Sequence, residues 1–260
     1  YVFGETYSNM VENDFVPTIK YSVTGFSLNV NKASYSNIRR FINNNTIIPT
    51  DAVRIEEMLN YFSLSCTPSP IGKDLFNMAS WVSSCPWNDL SLLLFINLRA
   101  KKIDLAKAPP SNLVFLIDNS GSMEMPNRLQ LLKAGFRMLV NNLRNTDTVS
   151  LVTYGGTASI MLGPTSGAEK QRIIEAIEGL SPAGATPGAS GLKLAYEIAK
   201  KKYIKNGNNR VILATDGDFN VGQSSEKELE ELITQYRNSG VFLTCLGVGM
   251  GNYKDSKLEI

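Results

Sequence analysis

Oxygen-bearing side chains gather at three places in this sequence. Asp118, Ser120 and Ser122 alternate through the stretch DNSGS, directly after the apolar run Leu113–Ile117. Thr186 stands in the Gly- and Pro-rich stretch SPAGATPG, ahead of a predicted helix, and Asp216 follows a second apolar run in ATDGD. These positions would bring together carboxylate and hydroxyl oxygens with no nitrogen or sulfur ligand. Such a set suits a hard divalent cation, magnesium or manganese, with calcium as a further possibility. Two carboxylates roughly balance the ion, and the neutral hydroxyls leave it positive character for an outside anion. Gly121, between the two serines, is expected to let the backbone turn sharply there.

The chain has 260 residues and no histidine. Ser-His-Asp and Cys-His mechanisms are therefore excluded, as is histidine-ligated zinc. Net charge is +2, with basic and acidic residues interleaved, which argues against nucleic acid as a partner. The basic stretch Lys200–Arg210 reads as the solvated end of a helix and its loop. Cys245, inside VFLTCLGVG, reads as a buried thiol, and Cys66 and Cys85 as unpaired thiols that an oxidising compartment would allow to pair. No apolar run reaches the roughly 18 residues of a membrane span.

The elements that must position these residues form two patterns. Residues 1–21 read as a tail or linker. Residues 22–110 mix a strand (Val23–Asn29), two helices (Ala33–Ile42 and Asp51–Phe62) and two strands joined through Pro86-Trp87-Asn88, a small α+β domain. In the second helix Asp51 is placed as N-cap, and Val53, Ile55, Met58, Leu59 and Phe62 as the inward face. Trp81 and Trp87 are expected to be packing residues. Residues 111–260 alternate regularly: strands 113–117, 148–154, 159–162, 210–214 and 241–247, with helices 129–143, 170–180, 190–203 and 226–238. That rhythm predicts an α/β, doubly wound, mostly parallel sheet, whose ligands bind at the carboxyl ends of its strands.

The stretch LIDNSGSM, with Thr186 and Asp216 in the matching downstream loops, resembles the signature of von Willebrand factor A-type domains, a Rossmann-like fold with a metal ion-dependent adhesion site. The resemblance implies that Ser120, Ser122 and Thr186 ligate the metal directly, that Asp118 and Asp216 act largely through water, and that a partner's Asp or Glu completes the shell. From Gly25 onward, FSLNVNKASYSNIRRFI, DAVRIEEMLNYF, CPWN, AKKIDL, NNRVILATDGDFNVG and GNYKDSK look like a bacterial family pairing this domain with an N-terminal companion, often as envelope lipoproteins. That implies a periplasmic or surface-exposed adhesion module rather than an enzyme. Where that family carries Asp-Val-Asp, this chain has Asn29-Val30-Asn31, and it stops at Ile260, where an A domain would add a strand and a closing helix. The C-terminal strand and helix are thus expected to be missing, leaving the strand 241–247 at an edge or covered by the companion domain.

Two other readings compete. A strand-end aspartate with Asp-Gly-Asp downstream also resembles haloacid dehalogenase-like phosphatases, but the acid those enzymes need two residues on is Ser120 here. A structural scaffold with an unfilled site is the third. Asp218 is read as a cap or a solvent-facing residue, and GVGMG as a turn rather than a nucleotide loop.

Overall fold

The computed structural model describes residues 5–26, 28, 30–62, 64, 67–104, 107–125, 127–184, 188–216 and 226–249. Its chain divides into two compact units, Met10–Ala108 and Tyr1–Asn9 with Pro109–Ile260.

In the first unit, helix α1 (Ala33–Asn43) buries Ser34, Ile38 and Phe41. The helix expected over 51–62 divides into a 3-10 turn, Thr50–Ala52, and a short α2, Ile55–Tyr61. The cause is Ser34, whose hydroxyl donates to the Ala52 carbonyl at 2.8 Å and accepts the Arg54 N–H at 3.0 Å. Those bonds hold the backbone at Val53 and Arg54 extended, so Asp51 lies inside the turn and caps nothing. The inward face is also reversed: Ile55, Leu59 and Phe62 are exposed while Glu57 is 3% exposed. Glu57 accepts the Ser34 N–H at 2.9 Å and pairs with Arg54 at 3.4 Å. No strand forms at the described residues of 23–29, where alternation meets no partner strand; Asn29 lies outside the described residues. Strands β1 (Phe76–Ser84) and β2 (Leu92–Ala100) make an antiparallel ribbon in which Trp81 opposes and stacks on Phe95. Trp87, expected to pack, is 77% exposed at the turn.

The second unit holds a sheet in the order β5-β4-β3-β6-β7: Ser159–Ser166, Thr148–Tyr154, Ser111–Asp118, Asn208–Thr215 and Phe242–Gly247. All neighbours are parallel except β5, which runs antiparallel to β4. Helices α3 (Leu129–Asn141), α4 (Lys170–Glu178), α5 (Gly188–Lys201) and α6 (Glu226–Asn238) connect the strands. Strand β3 is apolar on both sides because both sides are covered. Leu113, Phe115 and Ile117 meet Leu132, Phe136 and Val140 of α3 and Ile173 and Ile177 of α4. Val114 and Leu116 meet Leu192, Ala195 and Tyr196 of α5. Each such side chain contributes about 1.5–3 kcal/mol by leaving water. Among the described residues β7 is the outer strand, beside β6, and Cys245 on it is only half-buried, its thiol pushed up to about 11 by burial.

This strand order fixes where a ligand would sit. From β3 the chain proceeds to β4 and β5 on one side, then returns to β6 and β7 on the other. The order reverses between β3 and β6, and crevices in open α/β sheets form at the carboxyl ends of such a pair. Asp118 ends β3, and Asp216 directly follows β6.

Candidate metal centre

Asp118 is 3% exposed, and both its oxygens are engaged. The Ser120 N–H donates to Oδ1 at 2.8 Å, an Asx turn that swings the chain out of the strand, and the Thr215 hydroxyl reaches Oδ2 at 3.4 Å. Burial raises the carboxyl above its ordinary value near 3.8, the Ser120 hydroxyl and N–H lower it, neighbouring Asp216 adds a further push upward, and Thr215 opposes it. Beyond the turn, residues Gly121–Glu124 coil into one 3-10 turn with Met123 buried beneath. The hydroxyls of Ser120 and Ser122 stand 3.0 Å apart. Two ligands about 2.1 Å from an octahedral ion, at right angles, stand about 3.0 Å apart.

Neighbouring backbone holds this loop in place. Asn119 N–H donates to the Tyr154 carbonyl at 2.8 Å and Gly121 N–H to the Gly184 carbonyl at 3.2 Å. Gly155, at φ +144, passes so close that a Cβ there would lie 2.4 Å from the Ser120 nitrogen. Gly121 is different from expectation: its φ is not positive, and a Cβ would meet nothing within 4 Å. The turn between the serines is made by the 3-10 winding and the Asx bond, which any residue at 121 would permit.

Asp216 is 1% exposed, on the other side of the switch point. It forms a buried ion pair with Arg128, whose guanidinium also donates to the Ser122 carbonyl at 2.8 Å. The structure thus brings Asp118, Ser120, Ser122 and Asp216 to one end of the β3–β6 pair, and Thr186 and Asp218 lie outside the described residues, as does Cys66. Sequence reasoning missed Arg128. The available signal was an arginine at the start of α3, where the helix dipole disfavours a cation.

These residues fit a hard cation: a buried carboxylate, two hydroxyls at the spacing of adjacent octahedral ligands, and a second carboxylate next to them. Among the described residues no group of three or more His, Cys, Asp or Glu gathers, here or elsewhere, so the fit at this crevice rests on two carboxylates and two hydroxyls. No helix among them is long and apolar enough to cross a membrane.

Residues 113–219 match the von Willebrand factor type A domain family, and residues 2–94 match a family described as von Willebrand factor. YfbK of Escherichia coli (strain K12), an uncharacterized protein, is 41% identical over 258 residues, covering 97% of this chain and 45% of its own length. Calcium-activated chloride channel regulator 1 of Macaca mulatta is 30% identical over 141 residues, 45% of this chain and 15% of its own. Among solved structures, proximal thread matrix protein 1 from the mussel byssus, with a zinc-occupied MIDAS motif, is similar at 29% identity and a TM-score of 0.46, over 58% of this chain and 38% of that one. The chain spans less than half the length of these curated relatives. With the motif loop at the switch point of a five-stranded sheet, the chain belongs to the von Willebrand factor type A domain proteins.

Proposed function

We propose that this chain is a metal-dependent binding module, which captures an acidic group of a protein partner at the crevice between β3 and β6. The observation that supports this most is the pairing of the Ser120 and Ser122 hydroxyls at 3.0 Å beside the buried Asp118 carboxylate. In this reading Ser120, Ser122 and Thr186 hold the ion directly, and Asp118 and Asp216 orient its water. Magnesium is the expected ion, with manganese or calcium as substitutes. When bound, the ion supplies a positive coordination position that a partner's Asp or Glu completes. Asp118, fixed by the Ser120 N–H and the Thr215 hydroxyl, keeps the motif loop aimed at that position. In this reading, contacts from the loops around Met123–Asn127 and 181–188 would set specificity. A bacterial envelope location, periplasmic or at the surface, goes with the reading.

The test is retention of envelope proteins on the immobilised chain in magnesium, repeated in chelator and with Ser120→Ala and Thr186→Ala. Capture that needs the metal and both hydroxyls is the expected result, and substituting the partner's key Asp or Glu by its amide should lose no more than the ligand variants lose. Capture that survives chelation moves the interface away from the crevice. No hydrolysis is expected, since Ser120 occupies the place where a phosphatase needs its acid. Turnover of p-nitrophenyl phosphate that disappears in Asp118→Asn would overturn that.

A further inference from the structure

Arg128 is 2% exposed, and the metal reading does not use it. It sits on three segments at once. Its guanidinium binds the Asp216 carboxylate and the Ser122 carbonyl. Its stem and Nε lie beneath Gly249, past the end of β7, where a Cβ would come within 2.7 Å of Nε. Gly249 has φ +88, so the close approach and the left-handed backbone both favour glycine there. On the other side, Asn127 at φ +64 turns the chain so that Arg128 enters the interior just before α3 begins. A permanently charged, buried cation next to a cation site lowers affinity for the ion by simple repulsion. Its presence there calls for a compensating role.

We infer that Arg128 is a positioning and charge-setting residue, which neutralises Asp216 so that a loaded site is net positive and selects a carboxylate. This rests on the metal reading above. Among these described groups, the two aspartates, a divalent ion and Arg128 sum to one net positive charge, and without Arg128 they sum to none. A neutral loaded site would hold its ion more tightly and attract an anion less. Arg128 therefore exchanges metal affinity for anion affinity, and it ties the Ser122 carbonyl and Asp216 into one unit so that both move together.

A purely structural arginine makes a different prediction, because its loss would weaken both. The test is manganese binding, read by electron paramagnetic resonance, and acetate binding to the manganese-loaded chain, read by water-proton relaxation. Arg128→Gln keeps hydrogen-bond donors but removes the charge. It should bind manganese about fivefold more tightly or better, while acetate binds at least about fivefold more weakly. Arg128→Lys should stay within about twofold of the parent in manganese binding. Should Arg128→Gln fail to fold, Arg128→Met, which keeps the stem packed against Gly249, takes its place and is held to the same two expectations. A parent that binds no manganese sinks the metal reading itself and this inference with it. A parent that binds manganese, with Arg128→Gln or Arg128→Met equal or weaker, overturns the role of Arg128 alone.

Discussion

The ribbon β1–β2 and the strand β3 have similar apolar content and opposite fates. Strand β3 is covered on both sides, its Val114, Phe115, Leu116 and Ile117 fully buried, and the candidate metal residues Asp118, Ser120 and Ser122 follow at its end. On the ribbon, Leu92, Leu94, Val82 and Met78 are exposed, and Trp81 stacks on Phe95 within its own pair of strands. An apolar strand is thus stabilised by the layers it meets rather than by its own composition. A substitution should cost in proportion to those layers.

The largest expected effect follows directly. Phe115→Ala removes a ring that stacks on Phe136 at 4.4 Å and should destabilise the second unit by about 3–5 kcal/mol. Leu94→Ala in the ribbon should change stability by about 0.5 kcal/mol or less. Comparable losses in denaturant unfolding would show that the ribbon is packed as a core strand is, and the contrast would fail.

A smaller effect is expected where a polar group replaces an apolar one inside. Glu57 is buried between the Ser34 N–H and Arg54, so Glu57→Ala should cost about 1–3 kcal/mol, whereas Ile55→Ala, on the exposed face of the same helix, should cost about 0.5 or less. A reversed order would restore the apolar inward face that sequence periodicity expects.

The next contrast lies within the second unit, between two aspartates at opposite ends of the sheet. Burial raises Asp147, but Arg144 and the backbone N–H groups of Arg144 and Ser111 outweigh it and hold the carboxyl below its ordinary value. Its contribution is therefore present above the unfolded value near 3.9 and lost as pH falls through the lower folded value. Asp118 is raised, so its ionised form costs stability at neutral pH and the cost fades as pH falls through the raised folded value. In chelator, Asp118→Asn should melt above the parent at pH 7 and lose that advantage in acid. Asp147→Asn should melt below the parent at pH 7 and converge on it in acid. Parallel pH curves for the two variants would contradict the opposite signs.

How far the sequence spoke follows the same division. In the second unit a short apolar run, a polar turn and an amphipathic helix recur, each demanding its neighbour, so the strands and helices were readable to within a few residues. The gathering of Asp118, Ser120, Ser122 and Asp216 at one end of the sheet was readable because DNSGS and ATDGD follow the two apolar runs that become β3 and β6. Arg128 was not, since a single arginine among exposed charges carries no period and its partner lies 88 residues away. The turn between the serines was credited to Gly121, but the Asx bond and a 3-10 turn bend the chain there without a positive φ. In the first unit the described residues of 23–28 form no strand, and Ser34 breaks the helix expected from Asp51 by bonding across from α1. Both depend on contacts distant in sequence.

The central claim is that a divalent ion is held at the end of β3. The most direct test is a thermal melt in chelator, repeated with magnesium or manganese at about a hundred times its dissociation constant. Binding of that kind adds roughly 2.7 kcal/mol, or about 5–10 °C for a unit of this size. The account predicts that rise for the parent, its reversal by chelator, and its absence in Asp118→Ala and Ser120→Ala. A parent curve unmoved by millimolar metal, or an equal rise in Ser120→Ala, would contradict it.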